Sequence, residues 1–164
     1  MTTEPVGVEV TIREIAREDV DCVCGIIKQH SVWDAAKASD EIKADLTDIM
    51  AGVPRGHHYV AEIDGEIVGV SGWHRSCQAT TGVYWLSWTY VDEARRRSGI
   101  ASKLLHHVID AVTELGGRKL YIDTGANGYE DAVSFYKRHG FQMETDLPET
   151  LRAGDDCLIM AKVL

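Results

Sequence analysis

The sequence predicts a mixed α/β domain, and three features carry that prediction. The segment Gly82–Val91, GVYWLSWTYV, is aromatic and β-branched, the composition of a central strand. Asp64-Gly65 stands between two strand-like runs, His58–Ile63 and Glu66–Trp73, and suits a tight type I′ hairpin turn. From Gly99 to Leu115, apolar residues recur at Ile100, Leu104, Leu105, Val108, Ile109, Val112 and Leu115. That is a wide helical stripe of the kind that packs on a sheet.

The remaining elements follow in chain order. Val8–Ile12 alternates and is β-branched, which predicts a short first strand. Arg17-Glu18-Asp19 introduces a helix with Val20, Val23, Ile26 and Ile27 at helical spacing and Asp19 as its N-cap. The pattern changes over Ser31–Ala38, and Ser39–Met50 reads as a second helix, with Ile42, Leu46 and Ile49 on one face. Ala51–Gly56 is a loop by composition. After the hairpin, the central strand and the long helix, Gly116-Gly117 stops that helix. Lys119–Thr124 reads as a strand, Gly125–Gly128 as a loop, and Glu130–His139 as a helix ended by Gly140. Phe141 opens an extended segment, Leu147–Asp156 reads as loop, and Cys157–Leu164 as the last strand. With no repeat, low-complexity tract or linker, residues 1–164 are expected to form one domain.

The chain has 164 residues, 45% hydrophobic and 26% charged, which is ordinary for a globular protein large enough to bury a core. Its net charge of −9 argues against a nucleic-acid binder or a basic membrane-surface protein. No apolar run reaches the length of a membrane span, and the N-terminus lacks a signal pattern, so a cytoplasmic location is expected. Cys22, Cys24, Cys77 and Cys157 are too scattered for a disulfide framework. The adjacent pairs His57-His58 and His106-His107 suit chelation poorly, and no metal is expected.

Against this acidic background the stretch Arg95–Leu105, RRRSGIASKLL, stands out. Three arginines run into small residues where a helix begins, and a helix start offers unpaired N–H groups and partial positive charge. Such a segment suits a pyrophosphate. Read alone it suits equally a solvated basic turn capped by Ser98.

The neighbouring motifs decide between the two. Arg96-Arg97-Ser98-Gly99-Ile100-Ala101, between a central strand and a long helix, resembles the acyl-CoA motif Gln/Arg-x-x-Gly-x-Gly/Ala of the GNAT (Gcn5-related N-acetyltransferase) family. Downstream, Ala132-x-x-Phe135-Tyr136-Lys137-x-x-Gly140-Phe141 is similar to that family's A-x-x-[FL]-Y-[EK]-x-x-G-F helix. Both motifs, in this order and separated by one helix and one strand, make the resemblance specific, and it extends over essentially the whole chain. It implies a central, mostly antiparallel twisted sheet flanked by helices. Two departures stand out. Tyr129 occupies the place of a frequent Asn, with Asn127 nearby but out of register. Together with Gly154-Asp155-Asp156, the pattern is similar to a subgroup of no single agreed substrate.

The resemblance implies acetyl-CoA as co-substrate, its pyrophosphate bound by backbone N–H groups of Arg97, Ser98, Gly99, Ile100, Ala101 and Ser102, with the side chains of Arg95, Arg96 and Arg97 placed to add charge-assisted hydrogen bonds. It implies that Thr89, Tyr90 and Val91 pair with the pantetheine arm, with Phe135 and Tyr136 beside it. Tyr136 is the expected catalytic group, donating to the departing sulfur. A tyrosine near 10 and a thiol near 8.5 make full proton transfer uphill by roughly 2 kcal/mol, which favours a hydrogen bond that strengthens as charge develops.

Many such enzymes place a glutamate on the central strand, whereas YWLSWTYV holds no carboxylate. Asp123 is the best carboxylate candidate for the base, and Ser87, Tyr90 and His74 are positioned to anchor waters. His30, Trp33, Tyr84, Trp85 and Trp88 fall where the family builds its acceptor pocket. Strand alternation places Tyr84, Leu86 and Trp88 on one face and Trp85 and Ser87 on the other. The expected activity is direct acetyl transfer from acetyl-CoA to a primary amine of a small molecule or peptide. The alternative is a non-catalytic acyl-CoA-binding or regulatory module. Dimers are common in the family, and no stretch of this sequence identifies a homodimer interface.

Overall fold

The structure, a computed structural model, describes residues 8–52, 54–75 and 81–164. Cys77, Val53 and the first seven residues lie outside that range. Among the described residues, seven strands form one sheet in the order β1-β2-β3-β4-β5-β7-β6, where β1 is Thr11–Glu14, β2 Gly56–Ile63, β3 Glu66–Arg75, β4 Val83–Val91, β5 Lys119–Gly125, β6 Gln142–Arg152 and β7 Asp155–Val163. The helices are α1 (Val20–Lys28), α2 (Val32–Met50), α3 (Ile100–Glu114) and α4 (Glu130–Arg138). β1–β2, β5–β7 and β6–β7 are antiparallel, and β4–β5 is parallel.

The chain forms two compact units. One runs to Trp73 and resumes over Ser87–Val108; the other comprises His74–Leu86 and Ile109–Leu164.

In the first unit, Asp64 (φ 51°) and Gly65 (φ 80°) are both left-handed, as a type I′ turn requires. That turn pins the β2–β3 register, so successive β2 residues enter different clusters. Val60 joins Val20, Val23 and Ile27 of α1 and Ala35, Ala38 and Ile42 of α2. Ala61 and Ile63 pack with Val68, Val91, Ile100 and Leu104. Each fully buried Val, Leu or Ile among them contributes about 1.5–3 kcal/mol.

Several elements differ from what the sequence predicts. The first strand is Thr11–Glu14 rather than Val8–Ile12. Asp19 makes no side-chain cap for α1. Its carboxylate instead accepts from Ala16 N–H at 2.7 Å and pairs with Arg13 at 2.6 Å. α2 begins at Val32, with Ser31 Oγ accepting from Asp34 N–H at 3.1 Å. Val32 and Trp33 are exposed in its first turn, which hides the helical period there.

Trp88 carries a left-handed φ of 42° and breaks the β4 alternation, so Leu86 and Ser87 are both buried although consecutive.

In the second unit, β5 pairs with β7 from Lys119↔Val163 to Gly125↔Cys157. Leu120, Ile122, Met160 and Phe141 are buried there. The predicted loop Leu147–Asp156 is mostly strand. β6 and β7 form a hairpin around Gly154 (φ 77°), and register shifts between Met143 and Thr145 and between Leu147 and Arg152 erase the period-2 pattern.

Candidate functional site

In the first unit, β4 ends in Thr89, Tyr90 and Val91 and leads through a short turn, Glu93–Arg95, to α3. Asp92 organises that turn. Its N–H donates to Val68 O at 2.9 Å, and its carboxylate accepts from Ala94 N–H at 2.8 Å and Gln29 Nε2 at 3.1 Å. The Gln29 amide first, and then the Ala94 N–H, hold this carboxyl below the usual range. Gln29 Oε1 in return accepts from Glu93 N–H at 2.9 Å.

Arg97 (φ 60°) and Gly99 (φ 79°) are left-handed on either side of Ser98. Ser98 does not cap α3: its hydroxyl donates to the Arg95 carbonyl. Gly99 O accepts from Lys103 N–H at 3.1 Å, so the helix starts directly behind the glycine. A Cβ on Gly99 would meet no atom within 4 Å. Glycine therefore serves the backbone conformation here and leaves open space at the mouth of the helix. Arg95 reaches Glu66 at 3.8 Å and Arg96 reaches Glu93 at 3.3 Å, whereas Arg97 makes no ion pair among the described residues.

His30, expected in an acceptor pocket, lies at the end of β4. Its Nε2 is 3.2 Å from Val91 O, and one Arg96 guanidinium nitrogen lies 3.0 Å from its Nδ1 and 3.1 Å from its Nε2. The carbonyl requires a donor, so Nε2 carries the proton and Nδ1 accepts. The neighbouring β4 side chains reach other elements. Thr89 Oγ1 is 2.8 Å from Ser71 Oγ, Tyr90 donates to Asp34 at 2.9 Å, and Trp88 Nε1 donates to Glu41 at 2.8 Å. Trp33 is exposed, with the Lys37 ammonium 5.4 Å from its ring centre.

A second polar set in the same unit includes two residues that the sequence reading did not mark. His58 on β2 is 1% exposed, and its Nε2 lies 3.1 Å from Ser87 Oγ on β4. Its Nδ1 lies 3.6 Å from Asp45 Oδ2 on α2, ion-pair distance rather than hydrogen-bond length. Burial first, then the like charges of Glu41 and Asp48, push the Asp45 carboxyl up to about 6. These residues are far apart in sequence, and a buried histidine has no local signature.

In the second unit, Tyr136 on α4 is half-buried, with its ring centre 5.2 Å from Phe135 and 5.5 Å from the buried Phe141. Asp123 is exposed on β5 opposite Ile159. Trp85 stacks on Tyr121 at 5.0 Å, and Tyr84 is buried. The out-of-register Asn127 is engaged by the β6–β7 turn: its N–H donates to Asp155 at 3.1 Å and its amide to Gly154 O at 3.3 Å. Tyr129 packs over Gly125, where a Cβ would come within 2.5 Å of its ring. Among the described residues, no group of three or more His, Cys, Asp or Glu side chains is placed to hold a metal, and no helix is long and apolar enough to cross a membrane.

The profile of the acetyltransferase (GNAT) family matches residues 21–141. No protein with a curated description matches the sequence. Among solved structures, the chain is similar to a GNAT-family protein of Desulfovibrio desulfuricans, with 28% identity and a TM-score of 0.85 over 94% of this chain and 99% of that one. It is similar to a ribosomal-protein-alanine N-acetyltransferase of Brucella melitensis at 21% identity and a TM-score of 0.76, covering 94% and 99% of the two chains. It is also similar to an aminoglycoside 6′-N-acetyltransferase in complex with coenzyme A, at 18% identity and a TM-score of 0.73, covering 93% and 96%.

Proposed function

Because the chain belongs to the acetyltransferase (GNAT) family, we propose that it carries an acetyl group from acetyl-CoA directly to a primary amine of a small molecule or peptide. The observation that carries this reading is the left-handed pair Arg97 and Gly99 leading into α3. It leaves a Cβ-free opening at a helix N-terminus, which fits a pyrophosphate. Helix-end electrostatics alone contributes about 0.3–1 kcal/mol when exposed, up to ~2 when partly buried, so side chains must add to it. Arg97, outside the ion pairs that occupy Arg95 and Arg96, is the arginine best placed to do so.

Under this reading, main-chain groups of Thr89–Val91 hold the pantetheine arm, and acetyl-CoA supplies the activated acyl carbon. Tyr136 donates a hydrogen bond to sulfur as the carbon–sulfur bond breaks. Holding donor and amine together replaces a bimolecular encounter with an effective molarity. The similar enzymes act, by their names, on an alanine of a ribosomal protein and on an aminoglycoside, which supports an amine acceptor and leaves both acceptor classes in play.

A screen of amines, amino acids and peptides with CoA release as readout tests the proposal. Saturable release with at least one amine is the expected result. The absence of a carboxylate from β4 favours a second reading, a non-catalytic acyl-CoA-binding module. Stabilisation by acetyl-CoA in a thermal-shift titration, with only slow hydrolysis across the whole panel, selects that reading. No thermal shift at millimolar acetyl-CoA removes both.

A further inference from the structure

A neutral amine that attacks a thioester carbonyl must give up one proton, and β4 offers no carboxylate to take it. The first unit holds another route. We propose that Ser87, His58 and Asp45 form a proton relay that takes the proton from the acceptor amine and delivers it to solvent beside α2. The relay rests on the acetyl-transfer reading above and takes the role that the sequence reading gave to Asp123.

The geometry is directional. Ser87 stands on β4, two residues before Thr89, where the segment proposed to hold the pantetheine arm begins. Ser87 is 8% exposed, and the relay places the amine, or one water bridging to it, against its hydroxyl. Its hydroxyl is 3.1 Å from His58 Nε2, and the opposite ring nitrogen faces the Asp45 carboxylate at 3.6 Å. A carboxylate on the Nδ1 side selects the tautomer with hydrogen on Nδ1, which leaves Nε2 as the acceptor for Ser87. The Asp45 side chain is 17% exposed, so the chain runs from the strand interior to water.

Two glycines make room for it. A Cβ on Gly72 would lie 2.5 Å from His58 Cδ2, and one on Gly56 would lie 2.3 Å from Asp45 Oδ2. The charged groups around Asp45 are Glu41 and Asp48 on α2, Arg55 ahead of β2 and held by Asp48 at 2.8 Å, and His58 itself. A carboxylate set among like charges and half desolvated is a poor device for stability and a suitable one for receiving a proton.

The transfer balances. The nitrogen–carbon bond forms at the thioester carbonyl, the carbon–sulfur bond breaks, and sulfur leaves with its electron pair. The amine proton passes to Ser87 Oγ while the Ser87 proton passes to His58 Nε2. The imidazolium so formed is balanced by Asp45, and its Nδ1 proton leaves past that carboxylate to solvent. Ser87 is the group that meets the substrate; His58 and Asp45 act through it.

The test uses acetyl-CoA and an amine identified by CoA release, with S87A, H58Q and D45N assayed over a range of pH. At neutral pH each variant is expected to lose roughly 100-fold in kcat, with acetyl-CoA affinity within about twofold of wild type, since the relay does not touch the donor. At high pH, where hydroxide takes the adduct's proton in place of the relay, the three rates are expected to converge on wild type. A wild-type kcat in S87A and H58Q, or a loss of the same size at every pH, overturns the relay alone. If H58Q fails to fold, S87A, which removes a single oxygen, carries the same test. A wild-type protein that binds acetyl-CoA yet acetylates no amine overturns the relay together with the proposed function.

Discussion

The imidazole of His30 joins the end of β4 to the loop that precedes α3: Nε2 donates to the Val91 carbonyl at 3.2 Å, and Nδ1 accepts from Arg96 at 3.0 Å. One ring thereby fixes both the strand end proposed to hold the pantetheine and an arginine beside the proposed phosphate cradle. His30→Ala removes both bonds at once. Acetyl-CoA affinity, measured by calorimetry, is expected to fall about 5- to 10-fold, the size of one lost net hydrogen bond, while folding stability falls by about 1 kcal/mol.

Gly99→Ala places a Cβ on a residue at φ 79°. Forcing alanine into that conformation costs roughly 1–2 kcal/mol, although no atom lies within 4 Å to clash with it. The apo protein is expected to melt a few degrees lower. The stabilisation that acetyl-CoA confers is expected to shrink further, because the methyl projects into the opening proposed for the phosphates. A thermal-shift titration reads both effects.

Tyr136 is held by ring contacts with Phe135 and Phe141, at 5.2 and 5.5 Å. Tyr136→Phe keeps both contacts and deletes only the hydroxyl. The expected result is a kcat lower by roughly 10- to 100-fold with little change in acetyl-CoA affinity. Steady-state kinetics paired with a binding measurement checks it, and unchanged turnover removes Tyr136 from the mechanism.

Asp45 ties stability to pH with an inverted sign for a carboxylate. Its folded pKa of about 6 lies above the ordinary value of 3.8, so the folded protein binds the extra proton between those limits. Its contribution therefore becomes less favourable as pH rises from 4 through 6, and the deficit is complete above that window. Asp45→Asn is expected to stabilise the fold at pH 7.5 by up to about 3 kcal/mol, with a smaller gain at pH 5. Thermal melts at the two pH values check this. A stabilised variant with reduced turnover would separate the relay from a structural role.

Much of the fold was readable from local chemistry. Asp64-Gly65 specifies its turn because few residues other than glycine and Asn or Asp accept two successive left-handed positions, and the α3 stripe has the period of an amphipathic helix. Elements that depend on distant partners were not readable. β6 is broken by two register shifts and contains Pro148, so its strand character comes from pairing with β7 rather than from its own alternation. The start of α2 is hidden because its first turn faces solvent with Val32 and Trp33.

The candidate site divides the same way. The Arg96–Ser102 loop announces itself through arginine beside small residues in an otherwise acidic chain. His58, Asp45 and Ser87 come from a strand, a helix and another strand, and only tertiary structure brings them together. His30 was visible as a candidate, but its tie to Val91 depends on where α1 ends relative to β4.

Trp88 keeps a left-handed backbone at φ 42° in the middle of β4, while its indole donates to Glu41 at 2.8 Å. Glycine would relieve that backbone at no steric cost, and its codon GGG is one nucleotide away from the tryptophan codon TGG. That single-nucleotide step is closed to a population selected for heat resistance, because glycine also strips the indole from the core cluster it packs against and from Glu41, a loss larger than the strain it relieves. A deep mutational scan for thermal survival is therefore expected to deplete glycine at position 88.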